Sequence, residues 1–121
     1  MLIISTSNVQ PTGSASRSLV LAQQLRHLVA ASHPDAAVLD LREYPLSPCV
    51  LCQSGAQDGR CVAPDRFNDL FGQIAAEETV VLIVPHYAGI PSQLAALFEK
   101  LQENVYLASC TGRDAGLRAK R

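Results

Sequence analysis

The chain has 121 residues and a mass of 13.0 kDa, and 48% of its residues are hydrophobic, enough for one domain whose apolar core needs no metal or disulfide staple. Its net charge of −1 and pI near 6.3 argue against a nucleic-acid protein, because binding a phosphate backbone needs a clustered positive surface and only the tail Arg118, Lys120 and Arg121 is basic. No apolar run approaches the ~20 residues that span a bilayer and no charged segment precedes the first apolar strand, so a soluble, cytoplasmic protein without membrane contact is expected.

Apolar residues alternate between strand-like and helix-like patterns from the start, the signature of a parallel sheet with helices on its faces. Met1 to Ser5 is the first predicted strand. Between Ser16 and Ala31, Leu21, Leu25, Leu28 and Val29 fall at i, i+4, i+7 and i+8, one face of a helix closed off by Pro34. Ala36 to Leu41 is the second strand. A loop with Pro45, Pro48, Gly55 and Gly59 follows, longer than a plain connection needs, and long loops in compact domains are usually functional. Phe67, Leu70, Phe71, Ile74 and Ala75 then form the apolar stripe of a second helix. Thr79 to Val84 is the third strand, and Leu94, Leu97, Phe98 and Leu101 mark a third helix beginning near Pro91. After Asn104, the run Val105 to Ala108 is too short for a strand. Three strands alone would leave an apolar strand with an unpaired edge, which either further chain or a partner has to cover.

Two strand ends carry chemistry. The first opens into Ser5, Thr6, Ser7 and Asn8, and Gly13, Ser14, Ala15, Ser16 and Arg17 lead into the helix. Hydroxyls, a glycine and a helix start form a phosphate cradle, because free N–H groups and the helix dipole both favour an anion there. Ser14 or Ser16 also suits a plain N-cap, and Arg17 suits a solvated surface equally well. The third strand breaks at Pro85 into His86, Tyr87, Ala88 and Gly89, a loop suited to a flat ligand: Pro85 ends the strand, Tyr87 offers an aromatic face and Gly89 lets backbone come close. His86 is of a type that can donate a proton, but an ordinary loop residue is the simpler reading.

Four cysteines, three of them within positions 49–61, fit reduced thiols better than a secreted disulfide framework. Cys49, Cys52 and Cys61 are one ligand short of a four-iron cluster or a tetrahedral zinc site unless distant Cys110 joins them. A Cys-x-x-Cys redox pair remains open, although Cys49 follows Pro48 inside a loop and does not open a helix.

In these residues the chain resembles the NADPH-dependent FMN reductases and their iron–sulfur flavoprotein relatives. Ser5-Thr6-Ser7 with Gly13 to Arg17 is similar to that family's phosphate loop. Pro48-Cys49-Val50-Leu51-Cys52 with Gly59-Arg60-Cys61 and Asp65 is similar to the cysteine loop of the iron–sulfur branch, although Gly55 stands where the compact motif has a further cysteine. Pro85 to Gly89 with Gln93 and Leu94 resembles the Pro-x-Tyr-x-Gly flavin-ring loop. The resemblance runs to about Leu101. It implies an α/β, flavodoxin-like, three-layer fold with a parallel sheet, truncated to strands 1–3 of the usual five, so that residues 1–121 form a single flavodoxin-like domain without strands four and five. It further implies FMN held by Ser5, Ser7, Ser14, Ala15 and Ser16 at its phosphate and by Pro85, His86, Tyr87, Ala88 and Gly89 at its ring, with NAD(P)H as substrate. The expected activity is an NAD(P)H-dependent oxidoreductase passing electrons to a small acceptor, a flavin or a quinone, in a homo-oligomer. Two alternatives stand beside it: a non-catalytic truncated binding module, and an iron–sulfur flavoprotein electron carrier with Cys49, Cys52 and Cys61 as cluster ligands.

Overall fold

A computed structural model describes residues 1–9, 16–86 and 89–117. Among these described residues the sheet has three parallel strands, β1 (Leu2–Ser5), β2 (Ala37–Asp40) and β3 (Val80–Ile83), in the order β2-β1-β3. Central β1 sets the register: Ile3 lies opposite Val38 and Val81, and Ser5 opposite Asp40 and Ile83. Parallel pairing requires crossovers, and helices supply them. Helix α1 (Arg17–Val29) links β1 to β2, α2 (Phe67–Ala76) precedes β3, and α3 (Ser92–Thr111) follows it. The order matches the flavodoxin-like expectation.

All four residues of β1 are buried, as a central parallel strand covered on both faces should be. Leu2 and Ile4 pack with Leu39 and Leu41, with Phe67, Leu70 and Ile74 of α2, and with Leu94, Ala96 and Leu97 of α3. Ile3 points to the other face, where α1 lies, and both Ile3 and Ala22 of α1 are fully buried.

The predicted inner face of α1 needs correction. Ser18 and Ala22 are its buried residues, whereas Leu21 is 52% and Leu28 81% exposed. A three-stranded sheet spans only about 10 Å across its strands, roughly the diameter of one helix, so only a narrow stripe of α1 finds a surface to cover. Small side chains occupy that stripe and the flanking leucines are left outside it. On the opposite margin every residue of β3 is half-buried, and among the described residues β3 pairs with β1 alone. The expected open edge is therefore present.

The third helix runs further than its apolar pattern indicates. It continues through Val105 to Ala108 and ends at Thr111, where Gly112 takes a left-handed φ of 67°. Its buried stripe passes through Leu97, Lys100, Asn104 and Leu107. Two polar members interrupt the apolar spacing, which is why periodicity loses the helix after Leu101.

Polar residues along α3 and just beyond it hold the long loop that follows β2. Gln93 accepts from Leu46 N at 2.7 Å and donates to Leu46 O at 3.3 Å, and Cys49 N donates to Glu99 Oε2 at 3.2 Å. Farther along, Asn104 Nδ2 donates to Gly59 O at 3.4 Å and Arg113 Nη2 to Gly55 O at 3.1 Å. Gly59 has a φ of 77°, and a β-carbon there would run into the Arg113 guanidinium. The loop is thus pinned along the length of α3.

Candidate functional site

The chain leaves β1 for β2 on one side and later enters β3 on the other, so the carboxyl ends of β1 and β3 flank the point where strand order reverses. Open α/β sheets bind ligands at that crevice. Here Thr6 stitches the two ends together, its N–H donating to Ile83 O at 3.1 Å and its hydroxyl to the same carbonyl at 3.0 Å.

Ser5, Thr6, Ser7 and Ser16 are all buried. The Ser7 hydroxyl oxygen accepts from Val9 N at 3.2 Å, and that of Ser16 accepts from Leu19 N at 3.2 Å as the N-cap of α1. In both bonds the oxygen is the acceptor, so each hydroxyl keeps its hydrogen for an outside acceptor. The N-cap role of Ser16 is therefore compatible with anion binding. Ser5 Oγ is buried with no partner among the described residues. Such an orphan costs ~1–3 kcal/mol unless something else satisfies it. A phosphate ester meets this donor set: three buried hydroxyls, those of Ser5 and Ser7 at the strand end and of Ser16 at the helix start, none of which gives its hydrogen to a described residue, beside a helix whose first N–H groups lack intrahelical partners.

On the β3 side Pro85 is half-buried and His86 exposed. Gly89 has a φ of 72°, a backbone conformation that L side chains adopt at a cost, and open space surrounds the position of a β-carbon there. Ser14, Ala15, Tyr87 and Ala88 lie outside the described residues. Asn8 Nδ2 donates to Ser92 Oγ at 2.8 Å, tying the loop after β1 to the first turn of α3. Beneath this tie lies a recess of about 280 Å³ lined by Asn8, Arg42, Pro45, Ser92 and Gln93.

Periodicity and motif did not single out Asp40 and Arg42. Asp40 ends β2 and is buried; Arg42 Nε lies 2.9 Å from Asp40 Oδ1 and 3.0 Å from Oδ2, and its Nη2 also pairs with that carboxylate. Burial pushes the Asp40 carboxyl up, but the Arg42 hydrogen bonds and charge outweigh it and hold it below the usual value. The other end of the guanidinium donates from Nη1 to Val9 O at 2.8 Å. The end of β2 thereby holds the loop that follows Ser5 and carries Ser7. The signal available in the sequence was position alone: a carboxylate at the carboxyl end of a predicted parallel strand. Arg42→Ala is expected to weaken FMN binding at least ~10-fold, since a hydrogen bond from a charged group contributes ~1.5–3 kcal/mol. A fluorescence titration with FMN measures this, and unchanged affinity would show that the guanidinium does not position the loop.

Cys49, Cys52 and Cys61 line a second, smaller recess together with Lys100, Glu103 and Asn104. Cys110 is exposed on α3 and does not line it. Among the described residues no three His, Cys, Asp or Glu side chains gather as a metal set. The donors present do not fit a four-thiolate cluster: the lining supplies three sulfurs, and the Lys100 ammonium lies 3.5 Å from the Cys61 Sγ.

No described helix is long and apolar enough to cross a membrane. No curated protein and no solved structure matches the chain. A family model described as NADPH-dependent FMN reductase matches residues 2–120, which carries the likeness past Leu101 through the whole of α3.

Proposed function

Because the chain belongs to the NADPH-dependent FMN reductase family, as an FMN-binding NAD(P)H oxidoreductase, we propose that it passes electrons to a small diffusible acceptor, a free flavin or a quinone, in the cytoplasm. FMN, when bound, supplies hydride acceptance and onward electron transfer, so the protein's part is to bind, orient and shield. We assign its phosphate to Ser5, Ser7 and Ser16 with Ser14 and Ala15, at the start of α1. Its ring is assigned to the loop of Pro85, His86, Tyr87, Ala88 and Gly89. Exposed His86 faces water and supplies no buried proton path.

One observation carries the phosphate assignment: buried serine hydroxyls at the strand-order reversal, with hydrogens left over from their bonds inside the protein. The thermodynamic sense is direct, since a dianion repays the desolvation of Ser5 Oγ that the described residues leave unrepaid. We further propose a homo-oligomer, because the half-buried β3 edge is a pairing liability that a second copy would remove.

The purified protein, saturated with FMN and passed through gel filtration, should retain about one flavin per chain and a two-banded yellow spectrum. It should then oxidise NADPH faster when a quinone or free FMN is added. Retained flavin with no acceptor-dependent NADPH oxidation would sink the acceptor proposal and favour the binding-module alternative.

A further inference from the structure

We propose that the recess holding Cys61, Cys52 and Lys100 is a second redox site, in which hydrogen peroxide oxidises Cys61 and Cys52 captures it as a disulfide. The inference is independent of the flavin assignment, because it uses the cysteine loop and the middle of α3, not the first turn of that helix.

Cys61 is the fixed partner. Its N–H donates to Asn68 Oδ1 at 2.9 Å, and Asn68 Nδ2 donates to its carbonyl at 2.7 Å, so both backbone groups are locked onto α2. Lys100 Nζ sits 3.5 Å from its sulfur and is almost fully buried, with its ammonium 5.7 Å from the centre of the Phe67 ring. The other neighbour of that ammonium is Asp65 Oδ2, at 3.1 Å. Asp65 is engaged by three more donors, the N–H groups of Ser47 and Phe67 and the Ser47 hydroxyl, so it does not monopolise Lys100. A buried cation 3.5 Å from the sulfur stands where it stabilises the negative charge of a departing hydroxide. Glu103 is the acidic side chain in the lining.

Cys52 is the movable partner. It is exposed, and its sulfur lies 3.0 Å from Ser54 Oγ, a hydrogen bond that, with the Ser54 backbone, holds the thiol below its ordinary value. Leu51 and Gln53 on either side of it have φ of 50° and 56°, conformations unfavourable for residues other than glycine, so rearranging this stretch relieves strain. The recess measures about 40 Å³, room for two or three water-sized molecules. Hydrogen peroxide fits.

The chemistry balances as follows. The Cys61 sulfur attacks one peroxide oxygen, an S–O bond forms, the O–O bond breaks, and the departing hydroxide takes up the thiol proton to leave as water. Sulfur is oxidised by two electrons and the peroxide reduced by two. The Cys52 sulfur then attacks Cys61, the S–S bond forms, and the S–O oxygen leaves with the Cys52 proton as a second water.

The test treats the purified protein with equimolar hydrogen peroxide in the absence of NADPH and maps its thiols by mass spectrometry. The expected result is a Cys52–Cys61 disulfide with a mass lower by two hydrogens, while Cys110 stays a thiol. In Cys52→Ser, dimedone should trap a sulfenic acid on Cys61. Lys100→Met should slow that oxidation at least ~10-fold and Lys100→Arg should restore most of it, as expected for a cation beside the sulfur. Oxidation of exposed Cys110 as fast as Cys61 in the unmodified protein would overturn the proposal, as would a disulfide to Cys49 or a Lys100→Met rate equal to that of Lys100→Arg.

Discussion

The double variant Ser7→Ala, Ser16→Ala should bind FMN at least ~100-fold more weakly than the unaltered protein, since each hydroxyl bonded to a charged group contributes ~1.5–3 kcal/mol. Both side chains are buried at the carboxyl end of β1 or the start of α1, and both oxygens already serve as acceptors from backbone N–H. The loss is therefore of donors to the ligand, compounded by two backbone N–H groups that lose their partners. Removing the Ser16 cap also costs ~1 kcal/mol of helix stability, so the comparison needs a Ser32→Ala control, whose exposed hydroxyl donates to Val29 O at the carboxyl end of α1. Flavin fluorescence quenching reads the affinity. A double variant that binds FMN as the parent does would remove the phosphate from this loop.

Asp65→Asn should be the most destabilising conservative change in the cysteine loop, costing ~3–5 kcal/mol and lowering Tm by roughly 10–20 °C, because it strands a buried ammonium. Lys100 and Asp65 are both almost wholly buried. Burial alone would raise the Asp65 carboxyl, but hydrogen bonds from Ser47 N, Phe67 N, the Ser47 hydroxyl and Lys100 outweigh it and bring it down to about 2. A carboxyl lower in the folded than in the unfolded chain stabilises the fold above the unfolded value of 3.8, and that stability is lost as pH falls through about 2. The parent should thus lose up to ~2 kcal/mol between about pH 4 and pH 2 on this account, and Asp65→Asn should lack that part of the acid transition. Chemical denaturation at several pH values separates the two effects. An equal slope in parent and variant would mean that Asp65 is not the group that titrates.

By itself the sequence determined the alternation of strands and helices, the parallel sheet they imply, and the two loops at the carboxyl ends of β1 and β3. Those features are local: a strand such as Leu2–Ser5 declares itself by unbroken apolar residues, and Pro85 or Gly89 acts on its own backbone. Tertiary structure decided which residues of α1 face the sheet, because the width of three strands, and not the helix's own periodicity, selects Ser18 and Ala22 over Leu21 and Leu28. It also decided the reach of α3, whose inner stripe includes Lys100 and Asn104, residues that apolar spacing counts as outward. Their burial makes sense only once Asp65, Cys61 and Gly59 are set against them across 35 to 45 positions of chain. The Arg42 link from Asp40 to Val9 is of the same kind, 33 positions apart. A polar side chain's partner is fixed by where the backbone brings it, and one-dimensional spacing holds no record of that meeting.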